Sequence, residues 1–189
     1  NKKIAIRGLA GTGKTILLAQ RAVDVINDGK RVLILTKTKP LNKFLQLLTG
    51  ISDSRLTITW IDLFVRQTFK KYNEPFSYAK ESEDSREHFD NYVPTMCLDI
   101  FEKYPDEKYD LILVDESQDF HKNWFEALCF AKKDGGQIIF FYDPFQEQIE
   151  NSMINDLQNS DDVTKYPLSL NFRNTFEITN LLQKLIKKY

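Results

Sequence analysis

Gly8-Leu9-Ala10-Gly11-Thr12-Gly13-Lys14-Thr15 places three of the chain's seven glycines between positions 8 and 13 and closes on a lysine and a hydroxyl. This is the G-x-x-x-x-G-K-[ST] spacing, and the chemistry it suits is the binding of a nucleoside polyphosphate. Glycines let successive backbone N–H groups converge on one phosphate, and a helix beginning near Lys14 adds its positive dipole end. Ala10 and Thr12 are small enough to leave that cradle open. Lys14 is suited to neutralise β- and γ-phosphate oxygens, and the Thr15 hydroxyl, one residue on, to ligate Mg²⁺. The phosphate-binding set is therefore Gly8, Ala10, Gly11, Thr12, Gly13, Lys14 and Thr15.

A magnesium ion on a polyphosphate needs a second contributor from the protein. Leu111-Ile112-Leu113-Val114-Asp115-Glu116 supplies one, an apolar run that ends in two carboxylates. Asp115 suits Mg²⁺ held through its water shell, because that ion keeps several waters and takes only one or two carboxylates. Glu116, next in the chain, is placed to polarise a water attacking from the γ-phosphate side. An acidic pair at a strand end is just as readily a solvated terminus when it stands alone. The glycine-rich loop upstream tips the balance to the catalytic reading.

These residues need a scaffold that brings distant segments together, and the apolar runs describe it. Ile4-Ala5-Ile6, Val32-Leu33-Ile34-Leu35, Leu111-Ile112-Leu113-Val114 and Ile138-Ile139-Phe140-Phe141-Tyr142 are apolar at successive positions. Such runs fit strands covered on both faces, as in a mostly parallel sheet between helices. Helical periods lie between and after them, at Thr15 to Asn27, Leu41 to Leu48, Ile61 to Tyr72, Arg86 to Lys103, Trp124 to Ala131 and Glu177 to Lys188. The alternation predicts an α/β fold with right-handed crossovers. Residues 73–85 are polar, charged and without period. With the helix that follows they form an insertion at about 73–105, within the domain.

Composition narrows the classes further. At 189 residues, 42% hydrophobic and 13% aromatic, the chain has ample apolar surface for a core of its own, which excludes a disordered or disulfide-dependent protein. Lys and Arg total 26 against 27 Asp and Glu, so there is no global positive field, and a polyanion would have to be met by local donors. Cys97 and Cys129 lie far apart in apolar surroundings and read as buried, reduced thiols. No apolar run reaches the length of a membrane helix, and the opening residues are too short for a secretory leader, which points to a cytoplasmic protein with no membrane partner.

Gly8 to Thr15, Val114-Asp115-Glu116-Ser117-Gln118-Asp119-Phe120, Tyr142-Asp143-Pro144-Phe145-Gln146 and Leu170-Asn171-Phe172-Arg173-Asn174-Thr175 follow one another along the chain. Their order is that of motifs I to IV of the UvrD/Rep-type superfamily 1 helicases, which the chain resembles over nearly its whole length. The first motif alone indicates a P-loop NTPase, whereas D-E-x-Q-D followed by D-P-x-Q and N-x-R-N-T is specific to that group. The motif III variant and the compact spacing are most similar to UvrD-like helicases often fused to nuclease-related domains, so a fused nuclease-related or protein partner is part of the expectation.

The resemblance implies a RecA-like P-loop NTPase fold, ATP and Mg²⁺ as cofactors, and ATP hydrolysis coupled to 3′-to-5′ movement on single-stranded DNA. It implies that Gln146 meets the γ-phosphate and reports it to the nucleic-acid track, and that Arg173 stabilises the developing charge. A guanidinium is suited to that role by its planar, bidentate geometry and permanent charge. It assigns strand contacts to the segment after the second strand, with Thr36 and Lys37, and to Thr57 to Asp62, with Thr59 and Trp60. Hydroxyls and an ammonium suit phosphates, and Trp60 offers a face for a base. These contacts are to phosphates, which leaves DNA and RNA both open.

Two departures stand out. The family's motif III runs on to a tryptophan and an arginine, where this chain has Glu147 to Met153, and motif Ib shows Trp60-Ile61 in place of phenylalanine-histidine. The chain lacks an initiator methionine and stops at Tyr189. The expectation is a first RecA-like domain over 1–170, with 171–189 as linker and start of a second RecA-like domain missing from this chain. The alternative is a nucleotide-dependent regulatory module that gates a partner without unwinding.

Overall fold

The four apolar runs form strands buried on both faces. The computed structural model describes residues 2–75, 85–146 and 151–172. Its strands are β1 (Lys2–Gly8), β2 (Val32–Thr36), β3 (Leu56–Trp60), β4 (Tyr109–Val114), β5 (Lys132–Tyr142) and β6 (Val163–Leu168). They make one six-stranded sheet in the order β3-β2-β4-β5-β1-β6, and every pairing is parallel. The α-helices among the described residues are α1 (Lys14–Asn27), α2 (Lys39–Thr49), α3 (Ile61–Lys71), α4 (Ser85–Asn91), α5 (Val93–Lys103), α6 (Asn123–Phe130) and α7 (Ile154–Asn159). This is the expected α/β class, a parallel sheet of RecA-like or Rossmann type flanked by helices.

Side chains alternate along a strand, so each central strand feeds two cores. Leu111 and Leu113 of β4 and Ile139 and Phe141 of β5 join Leu18, Ala22, Val25 and Ile26 of α1 and Leu45 of α2 on one face. Ile112, Val114, Ile138 and Phe140 join Phe64 and Val65 of α3, Phe101 of α5, Trp124 of α6 and Leu157 of α7 on the other. The buried positions of α1, Leu18, Ala19, Ala22, Val25 and Ile26, recur at the spacing of one helical face.

Parallel strands put their carboxyl ends on one edge of the sheet. The P-loop leaves β1, Asp115 follows β4, and Asp143 follows β5, which lies between β1 and β4. The glycine-rich loop, the acidic pair and the segment leading to Gln146 are therefore neighbours, although about a hundred residues separate the first from the second. Ligand crevices in open α/β sheets lie outside this edge.

The structure corrects the sequence reading in three places. β3 and β6 are strands that the apolar-run criterion passes over. Each has a neighbour on one side only, and β6 is largely exposed and carries Pro167, a residue tolerated at a sheet edge. The single helix expected over 86–103 is two, broken at Tyr92. Pro94 cannot continue a helix interior and sits in the first turn of α5. Cys97 is buried but Cys129 only half-buried; both are free thiols, and burial pushes them up to about 12 and about 11. The helix expected over 177–188, nearly all of the linker expected at 171–189, and most of the loop at 73–85 lie outside the described residues. No helix among the described residues is long and apolar enough to cross a membrane.

Leu113 is fully buried at the centre of the sheet. Leu113→Ala is expected to lower unfolding free energy by about 3 kcal/mol in urea titration, through lost transfer energy and the cavity left behind. A loss well under about 1 kcal/mol would contradict close packing on that face.

Candidate functional site at the carboxyl edge of the sheet

The P-loop is built from its glycines. Gly11 and Gly13 have φ of 86° and 82°, in the left-handed region that suits glycine. A Cβ at Gly8 would lie 2.4 Å from Thr12 Oγ1, so only glycine lets the loop turn back on itself there. Thr12 closes that turn, its Oγ1 donating to the Leu9 carbonyl at 2.8 Å and its N–H to the same oxygen at 3.2 Å.

Four consecutive carbonyls of this loop accept internal hydrogen bonds. Lys14 Nζ, buried beneath the loop, donates to Gly8 O at 2.7 Å and Leu9 O at 3.3 Å. Asn171 Nδ2 donates to Ala10 O at 2.8 Å, and Phe172 N–H to Gly11 O at 2.9 Å. With its acceptors engaged, the loop has N–H donors left for a ligand, backed by the first turn of α1 and the ammonium of Lys14. That is the donor set of an anion site, and it fits a polyphosphate.

Beside it, Thr15 Oγ1 donates to Asp115 Oδ2 at 3.2 Å. Asp115 is fully buried, its N–H bonded to Leu35 O at 2.9 Å and its Oδ1 accepting from Glu116 N at 3.1 Å. Burial, and then the neighbouring charge of Glu116, push its carboxyl up to about 6. Among the described residues no three His, Cys, Asp or Glu side chains cluster as metal ligands. A divalent cation here would draw on Thr15, Asp115 and oxygens of its own ligand, the sparse protein donor set that Mg²⁺ accepts.

Glu116 is half-buried, with φ 49° and ψ 52°. A left-handed backbone is unusual for a residue other than glycine or asparagine and is found where surrounding structure imposes it. The Glu116 backbone is held by its own N–H on Asp115 Oδ1 at 3.1 Å and by Asp119 N–H on its carbonyl at 3.0 Å, and Gln118 holds the side chain: its Nε2 donates to Glu116 Oε2 at 2.7 Å, and its Oε1 accepts from Asp143 N at 3.1 Å. Gln146 follows in a turn closed by its own N–H on Asp143 O at 3.3 Å. P-loop residues Ala10 to Thr15, Glu116 and Gln146 line one cleft of about 1130 Å³, with Leu41 and Phe44 of α2, Leu168 and Phe172 as apolar walls. Comparison with models of protein families finds none that matches this chain, and comparison with curated proteins finds no significant match.

Of the residues read from sequence, Lys14, Thr15, Asp115, Glu116 and Gln146 meet around this cleft, while Arg173 lies outside the described residues. The nucleic-acid assignments divide. Thr36 is fully buried and Thr59 nearly so. Asn42 binds both segments: with its amide oriented to satisfy both ends, it donates to Thr36 Oγ1 at 2.8 Å and Thr59 O at 3.3 Å and accepts from Trp60 N at 3.1 Å. The Thr36 hydroxyl and the Thr59 carbonyl are thus tied to Asn42, the Thr59 hydroxyl donates to Trp60 O at 3.3 Å, and neither hydroxyl faces solvent, contrary to the contact role expected for them. Lys37 lies over the Phe120 ring at 5.5 Å, and half-buried Trp60 has Lys39 over its ring at 5.7 Å. Asn42, Gln118 and Asp143 escaped the sequence reading because polar residues that brace loops carry no period. Only the quoted motifs enclosing Gln118 and Asp143 hinted at two of them.

Asp115 loses its proton at about pH 6 in the folded chain, against an ordinary value of 3.8. The folded state thus binds the extra proton between those values, and the ionised carboxylate works against the fold above pH 6. Asp115→Asn is expected to raise unfolding free energy at neutral pH by about 2 kcal/mol, with the advantage fading as pH falls toward about 4. Urea titrations across that range check it, and a variant no more stable than the parent would contradict the desolvated carboxylate.

Proposed function

We propose that this chain is the ATP-binding half of a superfamily 1 helicase or translocase, which hydrolyses Mg·ATP and couples it to movement on single-stranded nucleic acid. The observation that carries the reading is the meeting of Thr15 and Asp115 at 3.2 Å beside the P-loop, with Glu116 and Gln146 on the same cleft. A P-loop by itself binds phosphate. A buried carboxylate at its helix start, a second carboxylate one residue on and an amide in the turn after the strand between supply what hydrolysis needs in addition.

In this reading the P-loop N–H groups hold the β-phosphate, and Lys14 swings from the loop carbonyls to the β- and γ-oxygens. Thr15 and Asp115 would hold Mg²⁺, which when bound neutralises phosphate charge. Glu116 orients and polarises the attacking water, and Gln146, which both donates and accepts, meets the γ-phosphate. Phe172 and Phe44 wall the side of the cleft where a base would lie. Arg173, next in sequence after the residue bonded to Gly11, is assigned the charge that develops on the transferred phosphoryl group. Lys37, Lys39 and Trp60 stand at the same edge of the sheet beyond β2 and β3 and are the strand contacts this reading favours.

The test is binding of a fluorescent ATP analogue with Mg²⁺, then turnover with and without single-stranded DNA, each beside Lys14→Ala. Binding weakened at least about tenfold by Lys14→Ala is expected, since the lysine is the one mobile charge on the β- and γ-oxygens. Turnover should rise with single-stranded DNA once a second RecA-like domain is present. Affinity equal in parent and variant would overturn the site assignment, and DNA-independent turnover would favour the regulatory module.

A further inference from the structure

Three hydrogen bonds converge on Gln118, which is 2% exposed. Its Nε2 donates to Glu116 Oε2 at 2.7 Å, its Oε1 accepts from Asp143 N at 3.1 Å, and its carbonyl accepts from Ser152 Oγ at 2.9 Å. Asp143 begins the segment that carries Gln146, its own Oδ1 and O accepting from Phe145 N at 3.0 Å and Gln146 N at 3.3 Å. Ser152 stands where the described chain resumes after that segment. There Lys122 N donates to Asn151 O at 2.7 Å and Met153 N to Phe120 O at 3.0 Å. The turn after β4 thus bonds both Asp143 and residues 151–153, and one buried amide also holds the Glu116 carboxylate.

We propose that Gln118 is a positioning residue that locks the Glu116 carboxylate to the loop bearing Gln146. The water-polarising group and the γ-phosphate contact then keep one relative position. The inference rests on the hydrolytic reading given above. Its physical basis is that a primary amide donates and accepts from one rigid plane. Occupying one Glu116 oxygen with a charge-assisted bond fixes the carboxylate plane and leaves the other oxygen for water. The bond to Asp143 is buried, and neither of its partners has solvent to turn to.

Two substitutions separate the roles. Gln118→Glu keeps the shape and the acceptor for Asp143 but sets a carboxylate against that of Glu116; Gln118→Met keeps the volume and loses both bonds. Both are expected to bind the fluorescent ATP analogue within about threefold of the parent and to lose at least about tenfold in kcat, a part of the roughly hundredfold or more that a well-placed general base contributes. On lowering the pH from about 8 to about 6, Gln118→Glu should regain severalfold of its deficit relative to the parent, because a protonated acid donates to Glu116 as the amide does. Gln118→Met should regain nothing. A parent-like kcat in both variants, or equal acid recovery in both, would overturn the proposal.

Hydrogen exchange on the chain itself decides the linkage without turnover. Glu116 reaches Asp143 through Gln118, so the Asp143 amide should lose protection about tenfold in Glu116→Ala as well as in Gln118→Met. Unchanged Asp143 exchange in Glu116→Ala would overturn the linkage. Absence of nucleotide binding in the parent would count against the hydrolytic reading, and the exchange result would stand separately.

Discussion

A hydrogen bond between Thr15 and Asp115 joins residues a hundred positions apart and ties the start of α1 to the end of β4. It can form because β5 is inserted between β1 and β4 and all three strands run the same way. The rest of the site depends on that arrangement. The P-loop must leave β1 at the edge where the acidic pair leaves β4, and the strand between them must deliver Gln146 to the same cleft. An antiparallel β5 would send its carboxyl end to the far side of the sheet.

The two-sided core holds this edge rigid enough for polar groups to be buried on it. Asp115, Gln118 and Asp143 are all nearly inaccessible, and each is held by hydrogen bonds from neighbouring segments. Asp115 is the costly member: its carboxylate is desolvated and faces a second acid, an arrangement that weakens the fold at neutral pH. Glu116 adds a strained backbone beside it. Such costs are concentrated at one edge, above an otherwise well-packed sheet, where ordinary packing would not require them.

Much of this was readable from residue types alone. The central strands announce themselves because burial on both faces demands apolar residues at every position, as in Val32 to Leu35 and Leu111 to Val114. The P-loop announces itself because backbone with positive φ and close approach demand glycine at fixed offsets. The edge strands β3 and β6 did not, since one free edge relaxes both demands. The helix break at Tyr92 is marked in the sequence only by Pro94, because the apolar period continues across it. Thr36 and Thr59 show the limit of chemistry read without burial. A hydroxyl near the right strand end suits a phosphate, but here Asn42 turns both segments inward to brace the sheet.

The central claim is that Thr15, Asp115 and the P-loop form one site for a metal-bound nucleotide. The most direct measurement is the affinity of a fluorescent ATP analogue as a function of Mg²⁺ concentration, in the parent and in Asp115→Asn. The account predicts affinity that rises with Mg²⁺ in the parent and a largely lost increment in the variant, with metal-free binding retained. An equal Mg²⁺ response in both proteins, or no nucleotide binding by the parent at any Mg²⁺ concentration, would contradict it.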